Sequence, residues 1–190
     1  MLDPAFLRAT FDAALPYDQY VATGTPDQQA SWHAFHARVR LTGAQHELIA
    51  SFSRRLNILI SSGTWCGDCV QQVPMLDHIA HANPEAIRLR LVDRDQHADL
   101  ARQVMICGGL RVPTALFLNE DFEFVALAGD QVLARFRAKA QAKLGAACPL
   151  PGAPVPADEI AATLQDWVDE VERAHLLCRL SPKLRQRHGD

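Results

Sequence analysis

Hydrophobic positions change their period along the chain, and the change separates predicted helices from predicted strands. Before residue 57 the apolar side chains recur at helical spacing, as Trp32, Phe35 and Val39 do, and again Leu48, Ile49 and Phe52. Two capping boxes predict where helices begin in this part: Thr25 with Gln28, and Thr42 with Gln45.

From residue 57 the pattern alternates between short apolar runs and helical spacing. Strands are predicted at 57–62, 87–93, 114–119 and 122–127. A helix is predicted after each of the first two strands, the second over 98–106 with Gly108 and Gly109 at its end, and a last one follows the hairpin formed by the final two strands. For that last helix we expect Asp130 as N-cap, Gly145 beyond the C-terminus, and these residues facing the core: Val132, Leu133, Phe136 and Leu144.

The resulting order, β-α-β-α-β-β-α, predicts an α/β fold. Its first two strands should be parallel with a right-handed crossover, and the hairpin should add antiparallel strands to give a mixed sheet with helices on both faces. We divide the chain into a helical extension packed on the core (1–49), a central domain (50–146), a Pro-rich linker (147–157) and a C-terminal helix with its tail (158–190). We expect the helix to span about 158–178 with its apolar face docked on the core, dimerisation being the alternative, and the basic tail after Pro182 to be frayed.

The composition and charge of the chain argue against several classes of function. Hydrophobic residues make up 48% of the 190 residues, which is enough for a sizeable core. The net charge of −3 gives no electrostatic case for nucleic acid or an anionic membrane, and no apolar run is long enough to span a bilayer. The first residues do not have the pattern of a secretory signal, so we expect a cytoplasmic protein.

Cys66 and Cys69 form a C-x-x-C motif between a predicted strand and a predicted helix. In a reducing compartment this context favours redox chemistry, with a structural disulfide, inert thiols and a metal site as alternatives. Cys66 would face the unpaired N–H groups and positive dipole of the helix start, which favour its thiolate. We therefore expect Cys66 to attack a substrate disulfide and Cys69, one turn deeper, to resolve the mixed disulfide.

Other polar residues give weaker signals. Cys107, Cys148 and Cys178 are predicted to be buried small side chains, although Cys107 could approach the dithiol. Zinc would need four ligands, and no second pair of cysteines or histidines completes a site, so no metal is expected. The pairs His33–His36 and His78–His81 are predicted to be solvated or partly packed, without acidic partners. Residues 92–97, with Asp93, Asp95 and His97, are predicted to form a turn.

The motif "TWCGDC" with Pro74 five residues later, and "LRVPTALFL" with Pro113, resembles the thioredoxins over about residues 50–145. The resemblance implies a thioredoxin fold, a cis bond before Pro113, and a substrate groove shaped by Trp65 and Pro113. The backbone of Val112 could then pair with an extended substrate. The segment "PYDQY" (16–20) is similar to one near the start of a bacterial thioredoxin-like subfamily, and no role is assigned to it.

Two residues depart from the thioredoxin pattern. Asp68 stands where a thioredoxin has Pro, and its carboxylate should make Cys66 less acidic and the couple more reducing. Ile60 stands where many thioredoxins have a buried Asp that helps to move the proton of the second thiol. That proton must go elsewhere, either to water or to Asp68.

These observations predict a thiol–disulfide oxidoreductase that reduces protein disulfides without a dissociable cofactor, with Gly67 and Asp68 setting the redox poise. It would be a monomer or homodimer, regenerated by a reductase or small thiol. The alternatives are a disulfide oxidase or isomerase, and a docking module that retains the fold.

Overall fold

A computed structural model describes residues 2–144 and 158–189, so the predicted linker and Gly145 lie outside the described residues. The described residues begin with four helices, then follow the predicted alternation of strands and helices, and end with two more helices. The elements are α1 (Pro4–Ala13), α2 (Tyr17–Val21), α3 (Pro26–His36), α4 (Gly43–Ala50), β1 (Leu56–Ser62), α5 (Gly67–Ala82), β2 (Ile87–Asp93), α6 (Ala98–Gln103), β3 (Thr114–Leu118), β4 (Phe124–Gly129), α7 (Leu133–Leu144), α8 (Glu159–Leu180) and α9 (Pro182–His188).

The sheet has the strand order β2-β1-β3-β4 and is mixed, as predicted. β1 and β2 are parallel and are joined by α5, while β1 pairs antiparallel with β3, and β3 with β4. β1 is central and buried along its whole length, which agrees with the apolar Leu56, with the apolar run Ile58–Ile60 at its middle and with small or amide side chains at its other buried positions. The carboxyl end of this strand leads directly into the C-x-x-C motif.

Helices cover both faces of the sheet, which confirms the predicted α/β architecture. Ile58 and Ile60 of β1 point into the larger core, which also contains buried side chains of α2 to α5 and α8. Leu59 points to the opposite face and packs in the smaller core with Leu7 and Phe11 of α1 and Leu100 of α6. The alternation follows from the two-residue period of a strand.

Both predicted capping boxes are present. The Thr25 hydroxyl accepts from the backbone N–H of Gln28, whose side chain accepts from the Thr25 N–H. Thr42 and Gln45 make the same pair of bonds at the start of α4. These local hydrogen bonds fix where α3 and α4 begin.

The start of α7 differs from its prediction. Asp130 lies three residues before the helix, with φ 61°, and the N–H of Ala134 is instead capped at 2.6 Å by the Asp166 carboxylate of α8. Val132 is buried as expected, but Leu133 and Phe136 are 54% and 45% exposed, so their predicted core positions were wrong. The face that α7 buries carries Ala134 and Arg135 instead.

The C-terminal region is more ordered than its composition suggested. α8 docks on the core through fully buried side chains such as Trp167, Val168 and Val171, as predicted. The tail after Pro182 is not frayed but forms α9, which buries Leu184 and pairs Lys183 with Glu123 and Arg187 with Asp121 on the β3–β4 turn. These pairs hold the basic charge run against the protein.

Candidate functional site

Cys66 lies where β1 has ended and α5 begins. It is the N-cap of α5, its N–H donates to the Gly63 carbonyl at 3.0 Å, and its own carbonyl accepts from the Val70 N–H. Cys69, in the first turn of α5, is 0% exposed, whereas Cys66 is partly exposed, and both thiols are free. A substrate can therefore reach Cys66 more easily than Cys69.

The two thiols differ in acidity, since the pKa of Cys66 is lowered and that of Cys69 is raised. A hydrogen bond from the Cys69 thiol lowers the pKa of Cys66 to about 6, with further help from the backbone N–H groups of residues 68 and 69. Burial of the thiol and the negative charge of Asp68 both raise the pKa of Cys66, and the contribution of Asp68 is the smaller of the two. Burial raises the pKa of Cys69, and the hydrogen bond and charge of Cys66 raise it further. Cys66 is thus the thiolate of the pair near neutral pH, and Cys69 stays protonated.

The Val112–Pro113 bond is cis, as the resemblance implied, and it faces the dithiol. The Cys66 sulfur lies 3.7 Å from the Val112 carbonyl oxygen, to which it donates a hydrogen bond when it is protonated. β3 begins at Thr114, directly after Pro113, so the cis turn and the sheet together hold the Val112 carbonyl beside the Cys66 sulfur.

Trp65 forms an exposed apolar surface beside Cys66. Its side chain is 50% exposed, and the Arg94 guanidinium lies 4.7 Å from the ring centroid. The ring packs so closely over Gly63 that a Cβ there would lie 2.6 Å from it. Gly67, by contrast, has open space around its Cβ position, so neither packing nor backbone strain requires a glycine there.

Asp68 is held in an ion-pair network that the sequence reasoning missed. Lys139 Nζ lies 2.7 Å from Asp68 Oδ2, and Arg135 Nη2 lies 3.2 Å from Oδ1, while Arg135 Nη1 also pairs with Glu159 of α8 at 3.0 Å. Burial raises the pKa of Asp68, but Lys139, Gln131 and Arg135 outweigh it and hold that pKa below its ordinary value.

This network changes two expectations about Asp68. The carboxylate does raise the pKa of Cys66, but as the smallest of the contributions, since two cations balance its charge. Its lowered pKa also makes Asp68 a poor acceptor for the Cys69 proton. Arg135 and Lys139 lie four residues apart, so their common helical face was a signal for this network, but their contact with Asp68 depends on tertiary packing.

The N-terminal helices form the wall behind the dithiol. Ile60 is fully buried and apolar, so this position offers no carboxylate to Cys69. Behind Cys69 lie Ser62, at the end of β1, and Tyr20 of α2, and both are buried. The Trp32 indole N–H donates to the Thr64 carbonyl at 3.0 Å, which ties α3 to the loop before Trp65. The "PYDQY" segment was the sequence signal for Tyr20.

The other cysteines behave differently from one another. Cys178 is buried as predicted, and Cys148 lies outside the described residues. Cys107 is exposed, with φ 50°, so its predicted burial was wrong. It sits in a tight turn closed by hydrogen bonds between Ile106 and Gly109, which turns its side chain outward.

The histidine pairs have an acidic partner that was not expected. His36 Nε2 and His81 Nδ1 lie 3.0 Å and 3.3 Å from Asp77 Oδ2, and the His78 ring lies over His36. Within residues 2–144 and 158–189, no three His, Cys, Asp or Glu side chains are arranged to hold a metal ion. As predicted, a turn follows β2, at residues 94–97, and the Asp93 carboxylate accepts from the N–H groups of Asp95 and Gln96.

A mixed sheet with helices on both faces, a C-x-x-C motif at a helix start and a facing cis-proline define a thioredoxin-like α/β protein. The model of a family described as "Thioredoxin" matches residues 14–130, more than half of the chain. The chain therefore belongs to this thioredoxin family. The match begins inside the N-terminal region, so it includes α2, α3 and α4.

Solved structures agree with this fold. A protein of unknown function from Pseudomonas aeruginosa is 22% identical, with a TM-score of 0.70 over 92% of this chain and 99% of that chain. An HIV epitope-scaffold is 19% identical, with a TM-score of 0.65 over 92% of this chain and 98% of that chain. No curated protein sequence matches the chain significantly. In the described part of the chain, no helix is both long and apolar enough to cross a membrane.

Proposed function

We propose that the protein is a thiol–disulfide oxidoreductase that reduces disulfides in proteins. The observation that carries the proposal is the asymmetric dithiol: Cys66 is partly exposed with a pKa of about 6, and Cys69 is buried with a raised pKa. A pKa of about 6 leaves roughly 90% of Cys66 as thiolate at pH 7. The nucleophile is therefore present before a substrate arrives.

The reaction has two exchange steps. The Cys66 thiolate attacks one sulfur of a substrate disulfide, and the other substrate sulfur leaves as a thiolate that takes up a proton. Cys69 then loses its proton and attacks Cys66, which forms the Cys66–Cys69 disulfide and releases the second substrate sulfur. Two electrons pass from the dithiol to the substrate, so no dissociable cofactor is needed. A reductase or small thiol must return them.

Three features beside Cys66 would contact the substrate. Trp65 provides an apolar surface, and the cis bond between Val112 and Pro113 presents a backbone edge next to the sulfur. An extended substrate chain could pair with the Val112 backbone, which would place its disulfide at Cys66. We place this activity in the cytoplasm, acting on disulfide-containing proteins as a monomer or homodimer.

The acidity of Cys66 favours a reductase over a strong oxidant. Its pKa of about 6 is nearer to the value of about 7 in thioredoxin than to about 3.5 in a strongly oxidising relative. Asp68 contributes in the same direction because its charge disfavours the thiolate. Gly67 and Asp68, between the two cysteines, are the positions at which substitution should change the potential.

The first experiment is to equilibrate the protein in thiol–disulfide buffers of defined potential and count alkylated thiols by mass spectrometry. A midpoint near about −270 mV supports the reductase, and one near about −120 mV would identify an oxidant instead. In parallel, Cys66→Ser should abolish reduction of a protein disulfide, and Cys69→Ser should accumulate the mixed disulfide. The proposal would fail if Cys66→Ser kept full activity, or if Cys66 and Cys69 formed no reversible redox couple. A docking module would then be the better hypothesis.

A further inference from the structure

Two buried hydroxyl groups lie behind Cys69 without a partner of standard geometry. Ser62 is 0% exposed and Tyr20 is 1% exposed, and within the described residues neither hydroxyl completes a hydrogen bond. A buried hydroxyl without a hydrogen-bond partner destabilises the folded state, so two of them at one place require an explanation.

The Ser62 hydroxyl lies between Cys69 and Tyr20. Burial raises the pKa of both Cys69 and Tyr20, and the nearby Ser62 hydroxyl opposes that rise in each. Trp32 packs against the Tyr20 ring with 5.9 Å between ring centroids and an interplanar angle of 67°, and its indole N–H is fixed on the Thr64 carbonyl. Tyr20 is thus packed between α3 and the dithiol.

Resolution needs negative charge on Cys69, in a place where burial opposes it. Ile60 supplies no carboxylate, and Asp68 is engaged by Lys139 and Arg135. The hydroxyls of Ser62 and Tyr20 have no hydrogen-bond partner among the described residues and are therefore available as donors. A hydrogen bond from a hydroxyl to a charged sulfur is stronger than one to a neutral thiol.

We propose that Ser62 donates a hydrogen bond to the Cys69 sulfur as it becomes a thiolate and attacks the mixed disulfide, and that Tyr20 is a positioning residue acting through Ser62. This inference rests on the proposed exchange reaction and deepens it. In that step the Cys69 S–H bond breaks, the new Cys66–Cys69 S–S bond forms, and the bond from Cys66 to the substrate sulfur breaks. The departing substrate thiolate takes up one proton for the one that Cys69 releases, so neither hydroxyl ends the reaction with an altered charge.

The chain offers a matched control for each hydroxyl. Ser61 is the neighbouring residue of β1 and is also buried with an unpartnered hydroxyl, but alternation along the strand directs it to the opposite face. Tyr17 is three residues before Tyr20 on α2 and is likewise buried with an unpartnered hydroxyl. The test pairs are therefore Ser62→Ala with Ser61→Ala, and Tyr20→Phe with Tyr17→Phe.

The assay is stopped-flow reaction of the reduced protein with the chromogenic disulfide dithiobis(nitrobenzoate). The first nitrothiobenzoate is released when Cys66 attacks, and the second when Cys69 resolves. Cys107 and Cys148 are replaced by Ser in every variant so that they do not add to the signal. Circular dichroism and thermal unfolding of each variant verify that it folds.

Ser62→Ala should slow the second release by roughly 10- to 100-fold, the value of a hydrogen bond to a charged group. Tyr20→Phe, acting through Ser62, should slow it by roughly 2- to 10-fold. The first release should stay within about 2-fold, and the pH midpoint of the second release should rise in Ser62→Ala because the thiolate has lost a donor. Among the described residues, Cys66 and Tyr20 are ionisable groups that face Cys69, and Asp93 faces Tyr20.

The inference is overturned if Ser62→Ala matches Ser61→Ala, or if both releases slow equally, since a purely structural defect would not separate them. If the parent protein releases both equivalents of nitrothiobenzoate but no variant slows the second release selectively, this inference is wrong. The proposed function would still stand in that case. A parent that releases no second equivalent overturns both.

Discussion

Replacing Cys69 by Ala should raise the pKa of Cys66, because the Cys69 thiol is the largest single cause of its acidity. Cys69→Ser is the informative companion, since its hydroxyl can still donate to the Cys66 sulfur. We therefore expect the Ala variant to lose most of the acidity and the Ser variant to keep it. Both substitutions remove the resolving thiol, so loss of turnover cannot account for a difference between them.

The size of the effect follows from the value of the lost bond. A hydrogen bond to a charged group contributes about 1.5–3 kcal/mol, which corresponds to about 1–2 pKa units. The Cys66 pKa should thus rise from about 6 to roughly 7–8 in Cys69→Ala. At pH 7 the thiolate fraction would fall from about 90% to between about 50% and 10%, and alkylation would slow by roughly 2- to 10-fold.

The assay is the pH dependence of iodoacetamide alkylation at Cys66, followed at the peptide level by mass spectrometry because other thiols are present. Cys178→Ala serves as a control, since it removes another buried cysteine elsewhere in the core and should leave the midpoint unchanged. A midpoint in Cys69→Ala within about 0.3 units of the parent would refute the reasoning, because the backbone N–H groups at the start of α5 would then account for the acidity of Cys66.

Three further predictions concern the same region. The folded pKa of Cys66, about 6, lies below its ordinary value of 9.0, so the unfolded chain binds more protons between these pH values. Stability of the reduced protein should therefore rise with pH through that window, and this contribution should be lost as pH falls through about 6. Denaturant unfolding at several pH values should show that the disulfide form lacks this contribution, although His78 and His175, whose pKa values are lowered by burial, affect both forms. Arg135→Met should raise the Cys66 pKa, since Asp68 would keep only one of its two cations. It should also cost about 1–3 kcal/mol in thermal unfolding, and a lowered alkylation midpoint would contradict this prediction. Gly63→Ala should displace the Trp65 ring and change its quenching by acrylamide, with a cost of about 1–3 kcal/mol in stability, and unchanged quenching would show that the ring tolerates the added methyl.

The sequence contained enough information for the sheet and for the position of the dithiol. β1 and β2 appear at almost the predicted residues because a buried strand and an alternating strand have distinct patterns, and Thr25 and Thr42 cap their helices through bonds within four residues. The cis bond before Pro113 came from family resemblance, since local sequence gives it only a small prior.

What the sequence could not provide depends on contacts between distant parts of the chain. The ion pairs of Asp68 with Arg135 and Lys139 span 67 and 71 residues, and no local rule selects those partners. Phe136 was placed in the core by its apolar character, although α7 buries Arg135 instead because that side chain has partners inside. The basic tail was expected to fray because the local sequence does not reveal its acidic partners. Those partners lie on a turn about sixty residues earlier in the chain.

The buried face of α8 also bears on how the protein is made. Trp167 and Val171 fill the core against α4 and α5, yet they are synthesised long after the dithiol. At about 5–20 residues per second, the 22 residues of α8 take about 1–4 s to translate. During that interval the nascent chain carries Cys66 and Cys69 on an incomplete core, which limited proteolysis of ribosome-bound chains would detect. The core that contains Cys69 is therefore expected to be complete only after α8 has emerged from the ribosome.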